Sequence, residues 1–283
     1  PNQEDHMRPL ILFDLDHTLI TNDFLLTTDA LPTHIVEMQK RGFSVGINSD
    51  RPQTTLEYYY QLLTLDGPII IERGNAIYLP HDGSLLFHQG KLPRQVDDIT
   101  RLFLEMVRFQ YPRTDIIWGD FLYPEIRHMS FRRARDFLLI NGCRRYSFGL
   151  NYLHLDATKS DEECDAIAWQ KLQGISILLR DAFRRVTDQD PDLRCYMRNN
   201  ACMAHFPGTE KSRATNYLLE HAFASKIFMI GDTTQDFLGH DHRLIHCAVG
   251  NAEAEYKDVC DFVAAGEFTH GVVEALQWIA TNK

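Results

Sequence analysis

The sequence predicts an α/β fold built on a parallel sheet and interrupted by an α+β insertion. Three observations lead there. Strand and helix signals alternate at both ends of the chain, the alternation fails in the middle, and acidic residues stand where apolar runs stop.

Leu10-Ile11-Leu12-Phe13 is a short continuous apolar run, as expected of a strand buried on both faces, and it ends abruptly in Asp14-Leu15-Asp16-His17-Thr18. Leu31, Ile35 and Met38 then fall at helical spacing, with Pro32 suited to a first helical position and Gly42 to the stop. A strand at residues 43–48 follows, then a helix opened by Ser49-Asp50-Arg51-Pro52 and running through Leu63, then a strand at Pro68-Ile69-Ile70-Ile71. Strand, helix, strand, helix, strand implies parallel pairing with right-handed crossovers, a Rossmann-like arrangement.

Around Asp82-Gly83 the rhythm changes, because residues 76–79 and 85–87 flank a hairpin turn rather than a crossover helix. The insertion is expected to carry a helix near residues 94–109, strands near Ile116 and at 148–155, a long helix opened by the capping box Ser160-Asp161-Glu162-Glu163, and a strand at 193–197. From Lys211 the first pattern resumes: a helix to about His221, strands at 227–230 and 244–249, and a closing helix from about His270. The expected domains are therefore a core of residues 1–81 and 201–283 and an insertion of residues 82–200, and insertions of that size usually sit over a site.

A chain of 283 residues exceeds one ordinary compact domain, and 44% apolar with 24% charged residues is the composition of an ordered globular protein. The net charge of -10 weighs against nucleic acid or an anionic membrane as partner, since both recruit an excess of Lys and Arg. Cys143, Cys164, Cys195, Cys202, Cys247 and Cys260 are scattered without a C-x-x-C pair, so neither a zinc knuckle nor a disulfide framework is indicated. No apolar run approaches the roughly 18 to 20 residues that span a bilayer, and a cytoplasmic protein is expected. Residues 1–6 are polar, precede Met7 and are left out of the fold reasoning.

Four groups of residues could carry chemistry. Asp14 and Asp16 end the first strand, at the sheet edge where open α/β folds bind ligands. Asn48 and Ser49 end the second. Lys211 follows Pro207-Gly208-Thr209-Glu210 at a helix start, and Gly231-Asp232, with Asp236 four residues on, ends the strand at 227–230. Each alone has an ordinary reading: an acid capping a turn, a serine entering a helix, a solvated surface lysine.

Taken in order, the four groups resemble the motifs of the haloacid dehalogenase superfamily, and Ala248-Val249-Gly250-Asn251-Ala252 is similar to the segment that follows the fourth motif in Cof-type phosphatases. An insertion between the second motif and the lysine resembles the C2 cap of Cof-type, sucrose-phosphate and mannosyl-phosphoglycerate phosphatases. The resemblance implies a phosphatase acting on a small phosphorylated metabolite, a sugar phosphate, through an aspartyl-phosphate. It makes Asp14 the nucleophile and Asp16 the general acid/base. Ser49, Asn48, Lys211 and Asn251 become phosphate-binding groups, with Asn251 also bracing the site, and Asp14, Asp16, Asp232 and Asp236 hold Mg²⁺. A phosphomutase and a non-catalytic phosphometabolite-binding regulator remain open beside it. Gln235 stands where Cof-type proteins have Asn, and Glu72-Arg73-Gly74-Asn75-Ala76 only loosely matches their Glu-Asn-Gly-Ala segment. The inserted arginines Arg132, Arg133, Arg135, Arg144 and Arg145 read as an anion grip or a solvated basic face; Tyr58-Tyr59-Tyr60 reads as packing, and Trp118, Tyr123 and His128 carry no assignment.

Overall fold

The structure, a computed structural model, describes residues 7–88, 93–119, 126, 129, 131 and 133–282. Tyr123, His128 and Arg132 lie outside the described residues. In chain order the elements are β1 Leu10–Phe13, α1 Leu31–Lys40, β2 Ser44–Asn48, α2 Gln53–Leu62, β3 Ile69–Ile71, β4 Ala76–Leu79, β5 Ser84–His88, α3 Pro93–Gln110, β6 Thr114–Trp118, β7 Arg135–Ile140, β8 Ser147–Leu155, α4 Asp161–Thr187, β9 Asp192–Tyr196, β10 Ala201–His205, α5 Lys211–Glu220, β11 Ile227–Gly231, β12 Leu244–Ala248, α6 Ala254–Lys257, β13 Phe262–Val263 and α7 Phe268–Thr281.

The chain divides into two compact units, residues 1–89 with 209–283, and residues 90–208. The first carries an eight-stranded sheet in the order β13-β12-β11-β1-β2-β3-β4-β5. Its strands from β13 to β3 pair in parallel, and the β4–β5 hairpin closes one edge antiparallel. The apolar runs explain the pairing: all four residues of β1 are buried, as in strands covered on both faces. From β1 the chain builds outward to β2 and β3, then returns to lay β11 on the opposite side of β1, which makes the gap between β1 and β11 the topological switch point.

The second unit carries a five-stranded sheet in the order β6-β7-β8-β10-β9, parallel only between β6 and β7. Side chains alternate between its faces. Leu138, Ile140, Leu150 and Tyr152 join Phe103, Val107, Leu172 and Phe183 of α3 and α4 in one core, while Phe137, Leu139 and Leu153 join Ile126 in a smaller cluster. The predicted capping box opens α4: Glu163 N–H donates to Ser160 Oγ at 3.2 Å, and Ser160 N–H donates to Glu163 Oε2 at 2.9 Å.

Two expectations need adjusting. The 84–88 strand beyond the Asp82-Gly83 turn adds to the first sheet through antiparallel pairing with β4, instead of opening the insertion. Strand β10, beyond the expected 200/201 junction, pairs with β8 and β9 in the second sheet. Strands β7, β10 and β13 and the short helix α6 were not predicted. Among the described members of the arginine group, Arg135 pairs with Asp115 at 2.5 Å and Arg144 donates to Ser147 Oγ at 2.9 Å.

Candidate active site

Because β1, β2 and β11 run in parallel, their carboxyl ends share one edge, and Asp14, Ser49 and Asp232 each follow one of those strands. Lys211 arrives as the first residue of α5. A cation at that position is opposed by the helix dipole, so the lysine is held there by other charges. Its Nζ donates to Asp14 Oδ1 at 2.7 Å and to Asp236 Oδ1 at 2.6 Å, with all three residues buried.

Asp236 is fixed from its other oxygen. The N–H groups of Asp232 and Thr233 donate to its Oδ2 at 3.0 and 3.2 Å, across the short 3₁₀ turn Thr234–Asp236. This explains Gly231. A Cβ there would stand 2.3 Å from Asp236 Oδ2 and 2.5 Å from its Cβ, so the position has room for glycine alone. Thr18, the last residue of the first motif, donates from Oγ1 to Asp232 Oδ1 at 3.2 Å.

Three carboxylates thus share one ammonium. Asp14, Asp232 and Asp236 each bring an oxygen within 4.8 Å of the others. Burial raises the Asp14 carboxyl well above its ordinary range; Lys211 opposes the shift, and Asp236, Asp232 and Asp16 add to it. Burial, then Asp236, pushes Asp232 up to about 7. Burial works against the Lys211 ammonium, but Asp14 and Asp236 outweigh it and hold its pKa above the usual lysine value.

Asp16 stands apart from this cluster. Its side chain is 36% exposed and is gripped by Arg51, whose Nε and Nη2 donate to its two oxygens at 2.8 and 2.7 Å. Sequence reasoning gave Arg51 no role, since nothing in the local pattern joins it to a residue 35 positions earlier. Ser49 is buried, and the Arg51 N–H lies 3.4 Å from its Oγ. Asn48 is fully buried, and neither its Oδ1 nor its Nδ2 has a hydrogen-bond partner. Asn251 was expected to bind phosphate and to brace the site. Its Nδ2 donates to the His17 carbonyl at 2.7 Å and its Oδ1 accepts from Phe268 N–H at 2.8 Å, so its amide ties two loops together. His17, which the sequence left without a role, sits at φ 61° and supplies that carbonyl.

Residues 11–121 match the family model of haloacid dehalogenase-like hydrolases. Mannosyl-3-phosphoglycerate phosphatase of Pyrococcus furiosus is 38% identical over 71 residues, 25% of this chain and 28% of the relative. Its counterpart in Pyrococcus horikoshii is 35% identical over 71 residues, with the same coverage. The match therefore spans little more than a quarter of these curated relatives. Solved structures extend the likeness in fold to nearly the whole chain. A haloacid dehalogenase-like hydrolase from Bacteroides thetaiotaomicron has a TM-score of 0.68 at 15% identity, covering 96% of this chain and 99% of its own. A HAD/COF-like hydrolase from Plasmodium vivax has a TM-score of 0.62 at 15% identity, covering 99% and 98%. Among the described residues no helix is long and apolar enough to cross a membrane.

Proposed function

We propose that this protein is a Mg²⁺-dependent phosphatase that hydrolyses a small phosphorylated metabolite of the sugar-phosphate class through a phosphoryl group carried on Asp14. The observation that carries this reading is the buried cluster of Asp14, Asp232 and Asp236 around the single ammonium of Lys211. Three acids with one base leave a deficit of positive charge, and hard oxygen donors of that number suit a divalent cation. The upward shifts at Asp14 and Asp232 come first from burial, and the neighbouring acids add to them. Asp14, the main-chain carbonyl of Asp16 and Asp232 would hold Mg²⁺, with Asp236 behind them. When bound, the ion would draw charge from the phosphoryl oxygens and from the carboxylates around them.

In this mechanism a carboxylate oxygen of Asp14 attacks phosphorus, the bond to the leaving oxygen breaks, and Asp16 gives that oxygen a proton. Water then attacks the acyl-phosphate, Asp16 takes the proton from it, and Asp14 and inorganic phosphate are released. Lys211, Ser49 and Asn48 steady the phosphoryl oxygens. Asn251 keeps the loops in place. The inserted unit supplies substrate selection, as the caps of the resembled phosphatases do. The two Pyrococcus relatives, named for a phosphorylated sugar derivative, support the substrate class. Six free cysteines suit a reducing cytoplasm.

The test is to trap the adduct. Asp16→Asn should slow turnover by roughly 10² to 10⁴-fold. An activated aryl phosphate, which needs little protonation, should still phosphorylate Asp14. Acid-quenched mass spectrometry is expected to show the phosphoryl group on the peptide containing Asp14. Phosphate release without any adduct, and with label from water entering the product in one step, would point instead to direct attack by water.

A further inference from the structure

We propose that Cys195 and Cys202 form a reversible oxidation site, at which a small peroxide converts the two thiols to a disulfide bridging β9 and β10. Both cysteines belong to the second unit and Asp14 to the first, so the site stands independently of the phosphatase reading. Strands β9 and β10 run antiparallel with Cys195 directly opposite Cys202. Their side chains share a face, because Leu193 and Cys195 of β9, like Cys202 and Ala204 of β10, pack against the core formed with α3 and α4. Directly opposed antiparallel residues have Cα atoms about 4.5 to 5.5 Å apart, within the roughly 4.4 to 6.8 Å that a disulfide spans. Strand β9 is also an edge strand, joined in the sheet to β10 alone. It can close the remaining gap of about an ångström between the Cβ atoms without disturbing a second ladder.

The two thiols are unlike. Cys202 is fully buried, whereas Cys195 is partly exposed. A hydrogen bond with Cys202 pulls the Cys195 thiol down to about 6 against the effect of burial, and Ser176, Arg180 and Gln173 of α4 add to the pull. The same bond and burial raise the Cys202 thiol, and burial pushes up Cys247 and Cys260. Cys195 is thus the attacking thiolate and Cys202 the protonated thiol that resolves it. In the first step the Cys195 sulfur attacks a peroxide oxygen, the O–O bond breaks, and a sulfenic acid and hydroxide result. In the second, the Cys202 sulfur attacks the Cys195 sulfur, the S–O bond breaks, and the oxygen leaves as water with the Cys202 proton. Two electrons from the dithiol reduce one peroxide. The competing view makes both cysteines small apolar packing residues, which predicts that neither reacts.

Trypsin separates the pair, since cuts after Arg194, Arg198 and Lys211 leave the cysteines in peptides 195–198 and 199–211. The full chain, reduced and then given one equivalent of hydrogen peroxide at neutral pH, should yield these two peptides joined, with the mass of two hydrogens lost. Dithiothreitol should part them. Timed alkylation should show Cys195 consumed about tenfold faster than Cys143 or Cys260, a thiolate advantage tempered by its lower intrinsic nucleophilicity. Cys202→Ser should hold Cys195 at the sulfenic acid, which dimedone traps, and Cys195→Ser should leave Cys202 a thiol at the same dose of peroxide. Absence of the joined peptides from the oxidised wild-type chain overturns the inference without recourse to any variant. So does a bridge that forms only between chains, recognised by its dependence on protein concentration. A Cys202→Ser protein with unchanged circular dichroism and no dimedone adduct on Cys195 also overturns it.

Discussion

Both units set an acid against a lysine, partly exposed in the second unit and buried in the first, and the two arrangements balance their charge in opposite ways. In the second unit Asp136 receives Lys171 Nζ at both oxygens, 2.8 and 2.7 Å, and stands 2.8 Å from His154 Nδ1. One carboxylate there has two basic partners. In the first unit Lys211 faces Asp14 and Asp236 directly, with Asp232 alongside, so three carboxylates share one cation. The contrast separates an acid with two basic partners from three acids that share one. Buried ion pairs are weak evidence for stability in either case. A surplus of buried acid is harder to explain structurally than a matched trio, and it lies at the carboxyl edge of the first sheet.

The largest expected effect tests this distinction at Asp14. Asp14→Asn should lower turnover by on the order of 10⁴-fold or more, as for loss of a nucleophile. The metal-free variant should melt at the same temperature as the wild type or higher, because it removes a buried charge from a crowded group. A clear fall in melting temperature would make Asp14 a structural residue and dissolve the contrast.

A smaller effect should appear in the pH dependence of stability. With its carboxyl pushed up to about 7 in the folded chain against an ordinary value of 3.8, Asp232 keeps its proton across a window in which the unfolded chain has released it. The folded state then binds more protons, so stability is full below about pH 4 on this account and falls as pH rises toward about 7. The upward shift at Asp14 acts in the same direction. Denaturant titrations in chelator should show a loss of a few kcal/mol over this window, and Mg²⁺ should restore it. A flat profile in chelator would mean that the acids are already compensated.

The smallest effect belongs to the second unit. Asp136→Asn should cost about 1 to 2 kcal/mol, since Asp136 and Lys171 remain partly exposed and solvent screens the loss. That variant should gain nothing from chelation or from Mg²⁺. A metal-dependent change in its stability relative to wild type would show that the two acids are not so different.

Much of the first unit was legible because its strands are uninterrupted apolar runs that stop at polar residues. Leu10–Phe13 and Ile227–Gly231 announce both the strand and the position of the acid after it. The second unit was harder to read. Strand β7 begins with Arg135 and Asp136 inside an arginine-rich stretch, and β10 is made of Ala, Cys, Met and His, none of them a strong strand signal. The site divides along similar lines. Positions fixed by strand ends, such as Asp14, Ser49 and Asp232, could be placed by motif. Pairings across sequence could not: the Arg51 fork on Asp16 and the use of the Asn251 amide as a tie between loops depend on side-chain directions that a linear pattern does not encode.

Gly231 carries a consequence for how lesions in this protein would be interpreted. Its missing side chain is the space that Asp236 occupies, so even a methyl group there would push Asp236 away from the lysine it shares with Asp14. A genetic screen that ranks positions by lost function would then place 231 among the residues that do chemistry, although it offers no functional group. What such a screen would detect at this position is an excluded volume.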